Sequence, residues 1–469
     1  MSEILRVGIL TPVELFDPRS AYDFANILVS WHLYQTPMRP AAAEPGVTEP
    51  VLFEGPLESR SESQRTWAGR LREGLRFSDG SAVDAETLAA CLRQSKALSH
   101  EAEISVRGEE LLFELRRPHR RFDCLLCHHT CALTREAAGQ WLGSGPYRVV
   151  SNAPEKLRLA RNPYFEPAPP IEEIELTVYP ADPDGRPRAL MAAIDRGEVD
   201  FTLALSRDDL REVRRVHKWM GQGDATAYLY FNVQRPPLGR ASLRRALALA
   251  IDRRALAARS YASPMAFAGS GFLPPSLALM PDGLQPDPER ARAQLAGERV
   301  PERPLSMLVV PFARPHLPHP KATADLLIEQ FAAVGVEVVA TPTANVHDYM
   351  NRLVAGDYDL ALSGWMPDTP DLAGFFEAVL DSRSVPETHE AALVGANLSR
   401  WRHEPMDQAL EAYRRDPVTR HLYEINEILS AERPLVPLLY GSEVVIYSWR
   451  LKERPSALFN RPFFTEMRL

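Results

Sequence analysis

From residue 305 the chain alternates, and that alternation limits the fold more than any other feature. "LSMLVVP" reads as a strand, 321–334 as a helix, "VEVVATP" as a strand, 346–355 as a helix and 358–362 as a strand. Strands separated by helices of this length predict βαβ units and a mostly parallel sheet. The last strand runs into "GWMPDTPDLAGFF", where a Gly-Trp, two prolines and two aspartates precede an apolar helical run. A chain that leaves a buried strand and at once presents a tryptophan and carboxylates calls for an explanation. Two plain ones exist: Asp371 caps the following helix, and Trp365 packs in the core.

Upstream, 4–10 reads as a strand and 22–34 as a helix with Phe24, Ile27, Leu28, Trp31 and Tyr34 at helical spacing. Residues 36–65 read as loop. A strand, an Asp79-Gly80 turn and a helix capped by Asp84 follow, then a hairpin around Arg107-Gly108. "GSGPYRVVS", "KLRLARN" and "EEIELTVYP" read as three strands, 188–196 as a helix, and "AYLYFNV" as a strand. "ASLRRALALAIDRRALAA" reads as one helix opened by Ser242. Helices near 405–413 and 418–431 precede "PLVPLLYGSEVVIYS", read as a closing hairpin. Two α/β regions thus meet near residue 230. If the terminal strands return to the first region's sheet, a cleft separates two lobes, the usual place for a small-molecule site.

At 469 residues the chain exceeds one ordinary core, so two or three lobes are expected. A net charge of -8, with basic residues interleaved among acids, argues against nucleic acid as a partner. No 18-residue apolar run is present, so no direct membrane insertion is expected. "MSEILRVGIL" lacks a basic segment followed by an apolar stretch, which predicts a cytoplasmic location if Met1 is the native start. There is no GxxxxGK[ST], HExxH or GxSxG pattern, and no nucleophile or acid–base pair stands out. The expectation is a non-enzyme without a cofactor.

Of the four cysteines, Cys124, Cys127 and Cys131 lie in "CLLCHHTC" and Cys91 stands apart. Cys-x-x-Cys-His occurs in haem attachment, and Cys-x-x-Cys in zinc and redox sites, with His128 or His129 as further ligands. The competing reading is structural: spacings of three and four put the cysteines on one helix face, and free cysteine is usually buried. His316 and His319 in "HLPHP" are a weaker metal signal.

A collinear set of segments carries a resemblance. It comprises "LRVGILTPVELFDP", "RLREGLRFSDGSAVDAETL", "GSGPYRVV", "RNPYF", "LYFNVQRPPLGRASLRRALALAIDR", "GFLPPS", "PDPERARAQL" and "RPLVPLLY". Together they resemble the family 5 extracytoplasmic solute-binding proteins, the peptide- and nickel-binding components of ABC importers. The resemblance implies an α/β, two-lobe, three-domain clamshell of the periplasmic-binding-protein type (class II, peptide-binding). Residues 1–32, 146–231 and 434–469 would form the lobe I core, 33–145 its accessory domain and 232–433 lobe II, with a hinge near Asn232 and Pro434. It further implies a monomer that binds a short peptide or similar zwitterion without catalysis and docks on an ABC permease. That places it in the periplasm or outside the cell. Two alternatives stay open: a cytoplasmic sensor or biosynthetic accessory protein on the same fold, and a metal or metallophore carrier using the Cys/His segment.

Site residues follow from the same resemblance. In peptide-binding members, a Gly-Trp-x-x-Asp segment pairs its aspartate with the ligand's α-ammonium; here it is Gly364-Trp365-Met366-Pro367-Asp368. A cleft closing over a cation must supply a counter-charge, because an unpaired buried charge costs several kcal/mol. Trp365 would wall a ligand side chain, or pack in the core. Arg314 in "PFARPHLPHP" matches the arginine that holds the ligand carboxylate in dipeptide-type members, with His316 where an aromatic is usual. A surface arginine paired locally is the other reading. Asn397 and Trp401 match a cleft-facing segment. Ser144 and Tyr147 sit on a hinge-adjacent turn, where Gly143 and Gly145 serve either the ligand or the backbone.

Overall fold

The computed structural model describes residues 4–469 apart from 15, 22–23, 42–45, 183–185, 207–208, 261–266, 299–302, 312–313, 315, 344, 390, 456 and 459–460. One ten-stranded mixed sheet runs through both lobes. Its order is Tyr147–Ala153, Lys156–Arg161, Glu173–Val178, Ile4–Ile9, Phe201–Thr202, Leu435–Tyr447, His217–Phe231, Leu360–Trp365, Leu305–Val309, Val338–Thr341. The alternating region forms as its period dictates. Leu305–Val309 pairs in parallel with both Val338–Thr341 and Leu360–Trp365, with helices Pro320–Ala332 and Val346–Ala355 as the connections.

Two long strands join the lobes. His217–Phe231 and Leu435–Tyr447 pair antiparallel along their length, with register breaks between Gln222 and Thr226 and between Ala227 and Tyr228. Met220, Val444 and Ile446 pack in a lobe I core, whereas Ala227–Phe231 and Leu435–Leu439 pack in the lobe II core. The strands therefore change lobes near 222–226 and 440–442. This moves the expected hinge. Asn232 and Pro434 lie at the lobe II end: the Phe231 N–H donates to the Pro434 carbonyl at 2.9 Å, and the Asn232 amide donates to the Gly356 and Tyr358 carbonyls. The closing hairpin is also corrected. Gly441-Ser442 makes no turn: Leu435–Tyr447 is one strand, paired on either side of this point, Tyr440 with Thr226 and Ser442 with Gln222.

Met38, Leu52, Phe53, Phe77, Leu88, Phe113, Phe122 and Cys131 belong to a separate core in the accessory region. There Asp84 caps Ala85–Arg93 through the Thr87 N–H, and Gly108, at φ +63°, turns the hairpin between Ala102–Arg107 and Glu110–Leu115. Smaller differences are local. Among its described residues the segment 36–65 holds three short strands, and the helix after Ser242 is two, Ala241–Ala248 and Arg253–Ser260. The first helix is Phe24–Leu33; positions 22 and 23 lie outside the described residues. Among the described residues no helix is long and apolar enough to cross a membrane.

Candidate functional site

The site grows from the ends of two neighbouring parallel strands. Val309 pairs with Leu362, so Leu305–Val309 and Leu360–Trp365 deliver their following loops to the same edge of the sheet, the usual place for ligands in α/β folds. The second strand outruns its predicted end: Gly364 and Trp365 stay in register with Ala227 and Thr226. Gly364 is needed for close approach. A Cβ there would stand 2.3 Å from the Thr226 carbonyl oxygen and 2.5 Å from the His316 ring, so the two loops touch at this glycine. Trp365 is half-buried and packs on the lobe II core.

Arg314 lies in the tight turn it makes with Leu317 and is half-buried. Its charge is felt by two buried neighbours, His316 and Tyr349. Burial, with the Arg314 charge adding to it, pushes the His316 imidazole down to about 3. His316 therefore stays neutral and serves as packing behind the loop.

Asp368, half-buried, is directed at the accessory domain. One ligating atom each of Asp368, His128 and His129 lies within 4.8 Å of the others. Both histidines are buried, and their rings stack at 4.4 Å between centroids. The backbone fixes them: helix Phe122–Leu125 stops, and a 3-10 turn, His129–Cys131, starts with His128 as its cap. His128 Nδ1 accepts the Thr130 backbone N–H at 3.2 Å and lies 2.8 Å from Thr130 Oγ1.

The cysteines do not share one helix face, since the helix breaks between them, but their structural reading fits. Cys124, Cys127 and Cys131 are fully buried and all four cysteines are free thiols. Burial pushes the Cys131 thiol up to about 12, and burial, with Asp123 and Asp371 adding to it, raises the Cys124 thiol. Metal ligation and redox exchange both need the thiolate, which this environment disfavours.

A second set of contacts joins the lobes. Asp371 caps Leu372–Leu380 through the Ala373 N–H at 3.0 Å, and its other oxygen lies 3.1 Å from His119 Nε2 of the accessory domain. Nearby, Glu101 accepts from Arg414 at 2.6 Å and Arg117 at 2.7 Å, and Glu377 accepts from the same arginines at 3.4 Å and 3.2 Å. Two groups from each side form a closed acid–base square.

The sequence profile of bacterial extracellular solute-binding proteins, family 5 (Middle), matches residues 39–386, more than half of the chain. The chain belongs to this family. It is 28% identical over 323 residues to the probable ABC transporter periplasmic-binding protein SapA of Escherichia coli, covering 67% of this chain and 57% of that protein. Heme-binding protein A of Haemophilus influenzae is 23% identical over 324 residues, 66% of this chain and 56% of its own length. The chain thus spans a little over half the length of these curated relatives. A dipeptide-binding protein from Pseudoalteromonas sp. SM9913, solved with Met-Leu, has the same fold, with a TM-score of 0.83 at 18% identity over 99% of each chain.

Of the residues expected to reach the ligand in this family 5 chain, Asn397, Trp401 and Tyr147 have structural tasks instead. The Asn397 amide nitrogen donates to the carbonyls of Leu380, Asp381 and Trp401, and its oxygen accepts the Trp401 N–H, so no donor is left for a ligand. Trp401 is buried in lobe II and stacks on His403. Tyr147 is buried in lobe I and donates to the Ile171 carbonyl at 3.2 Å. Ser144 is buried between Gly143 and Gly145, where a Cβ would stand 2.0 and 2.5 Å from the Leu33 backbone. Those glycines admit the first helix's end. His128 and His129 were named only as companions of the cysteines; a His-His pair beside an element break was the available signal.

Proposed function

We propose that this protein is the substrate-binding component of an ABC-type importer and holds a short peptide or similar zwitterion between its lobes, without catalysis. The observation that carries this is the shared edge at Gly364, where the Arg314 loop meets the strand leading to Asp368. One anion and one guanidinium at that edge match the two ends of a zwitterion. Family membership and the peptide-binding names among its relatives support the assignment, as does the Met-Leu complex on the same fold. A binding protein of this kind docks its closed form on a permease outside the cytoplasm and works as a monomer.

Asp368→Ala is expected to cut dipeptide affinity at least about 100-fold, since a desolvated ammonium loses its counter-charge. The thermal midpoint of the ligand-free protein should barely move. Calorimetry showing equal affinity in variant and wild type would remove Asp368 from the site. Arg314→Ala is expected to weaken peptides with a free carboxylate roughly tenfold or more and to leave C-terminally amidated ones unchanged. An equal loss for both ligands would refute the carboxylate role.

A further inference from the structure

We propose that the outer end of lobe I is a docking surface for an anionic lipid bilayer, built from a basic rim around one exposed tryptophan. The two long strands end there, with His217 and Tyr447 as their last pair away from lobe II. The segments that adjoin this pair, 211–218 and 449–454, carry seven arginines and lysines against two glutamates, in a chain whose net charge is -8. The fold draws them together. The Trp449 ring meets His217 at 3.7 Å between centroids, His217 stacks on Tyr447 at 4.7 Å, and the Lys218 ammonium donates to the Leu210 carbonyl at 2.5 Å. Among the described residues, Arg450 is the one basic side chain of these segments that pairs with a carboxylate, Asp200. Glu212 is engaged by Arg186, and Asp195 by the Arg214 backbone N–H. Arg211, Arg214, Arg215, Lys218, Lys452 and Arg454 are exposed, so their charge faces solvent.

Trp449 selects the partner. It is 68% exposed, yet held by His217 rather than left to swing. An indole with one apolar face settles at the headgroup level of a bilayer. Each Lys or Arg near an anionic surface strengthens adsorption about fivefold, and a polybasic patch with one apolar anchor supplies the two signals that stable adsorption needs. A protein partner would bury an apolar core. Here Trp449 is the only large exposed apolar side chain of the two segments, so the surface suits hydrated headgroups better. The contact is peripheral and leaves the cleft free: roughly 30 Å of strand separates His217 from Thr226 beside the Gly364 edge. Adsorption there holds the chain at the membrane with its ligand site unobstructed.

The test is co-sedimentation of the full chain with vesicles of phosphatidylcholine, alone or mixed equally with phosphatidylglycerol. At low ionic strength, binding at least about tenfold stronger to the mixed vesicles is expected, fading as added salt screens the charges. Arg211→Glu/Lys452→Glu should lower that binding at least about tenfold, and Trp449→Ala should lower it severalfold. Lipids brominated near the headgroup should quench part of the tryptophan emission, and that part should vanish in Trp449→Phe. Circular dichroism and an unchanged dipeptide affinity show that each variant is intact. Equal binding to both kinds of vesicle, or binding indifferent to the charge reversal and to Trp449, overturns the proposal. So does capture of poly-glutamate without any binding to vesicles, which would assign the patch to an acidic protein.

Discussion

Replacing Arg414 by alanine is expected to unlatch the two lobes and weaken ligand binding by about two orders of magnitude. Arg414 ends helix Glu404–Arg415 of lobe II, with its side chain 1% exposed. It reaches Glu101 in the accessory domain, while Arg117 of that domain reaches back to Glu377. Without Arg414 the two carboxylates keep their bonds to Arg117, with the Arg383 charge nearby. Removing one partner of a buried pair costs about 3–5 kcal/mol, because the remaining charge is desolvated and uncompensated. In the open form water solvates those carboxylates, so the loss falls mainly on the closed form. A ligand that needs closure then binds more weakly by up to that amount. Small-angle scattering should show a larger radius of gyration for ligand-free Arg414→Ala, and calorimetry the affinity loss. Unchanged scattering and affinity would mean that the lobes are held elsewhere.

The same square fixes a pH dependence. Burial alone would raise the Glu101 carboxyl, but Arg414 and Arg117 overcome it and hold the group at about 2. A depressed carboxylate contributes its stabilisation in full above its ordinary value near 4.5 and loses it as pH falls from there towards 2. The latch therefore stays intact across the neutral range and opens only in acid.

The sequence was most readable where local preference and tertiary pairing agree. The alternation after 305, the Asp84 cap and the Gly108 hairpin follow from periodicity and turn chemistry, and Asp371 caps its helix by the same logic. The long strands were less readable. Gly221, Gly223 and Asp224 look like loop punctuation, and Gly441-Ser442 looks like a turn, yet both stretches sit inside long strands that pair with each other on either side of the register break. That mutual pairing is also what carries the sheet from one lobe to the next, so the change of lobes was misplaced by about six to ten residues along one strand and six to eight along the other. For the site, the strand leading to Asp368 was visible, but its facing groups were not. His128 and His129 reach Asp368 only through the packing of the accessory domain against lobe II, which one-dimensional spacing does not encode. Asn397 failed as a ligand candidate for the opposite reason. Its type suits binding, and only the three carbonyls around it show that the amide is already engaged.

The strand crossing itself should titrate near neutrality. Glu443 lies opposite Gly221, beside the register break that contains Asp224. Burial, followed by the negative charge of Asp224, pushes the Glu443 carboxyl up to about 7; Arg454, whose guanidinium sits 4.7 Å over the Trp219 ring, only partly offsets this. Asp224 is itself raised by burial, eased by a hydrogen bond from Ser276. The folded chain thus keeps a proton on Glu443 that the unfolded chain releases near its ordinary value of 4.5. Where the native state binds more protons, stability falls as pH rises, so the loss runs from about 4.5 to about 7 and is complete above that. A gap of this size is worth on the order of 3 kcal/mol. Glu443→Gln keeps the shape and removes the titration. Calorimetric melting should give similar midpoints for both proteins at pH 4.5 and a midpoint about 3 °C higher for the variant at pH 8. Because the charge appears where the strands change lobes, repulsion from Asp224 above neutrality should strain the crossing rather than either core. Equal pH slopes in the variant and wild type would place the titration elsewhere in the chain.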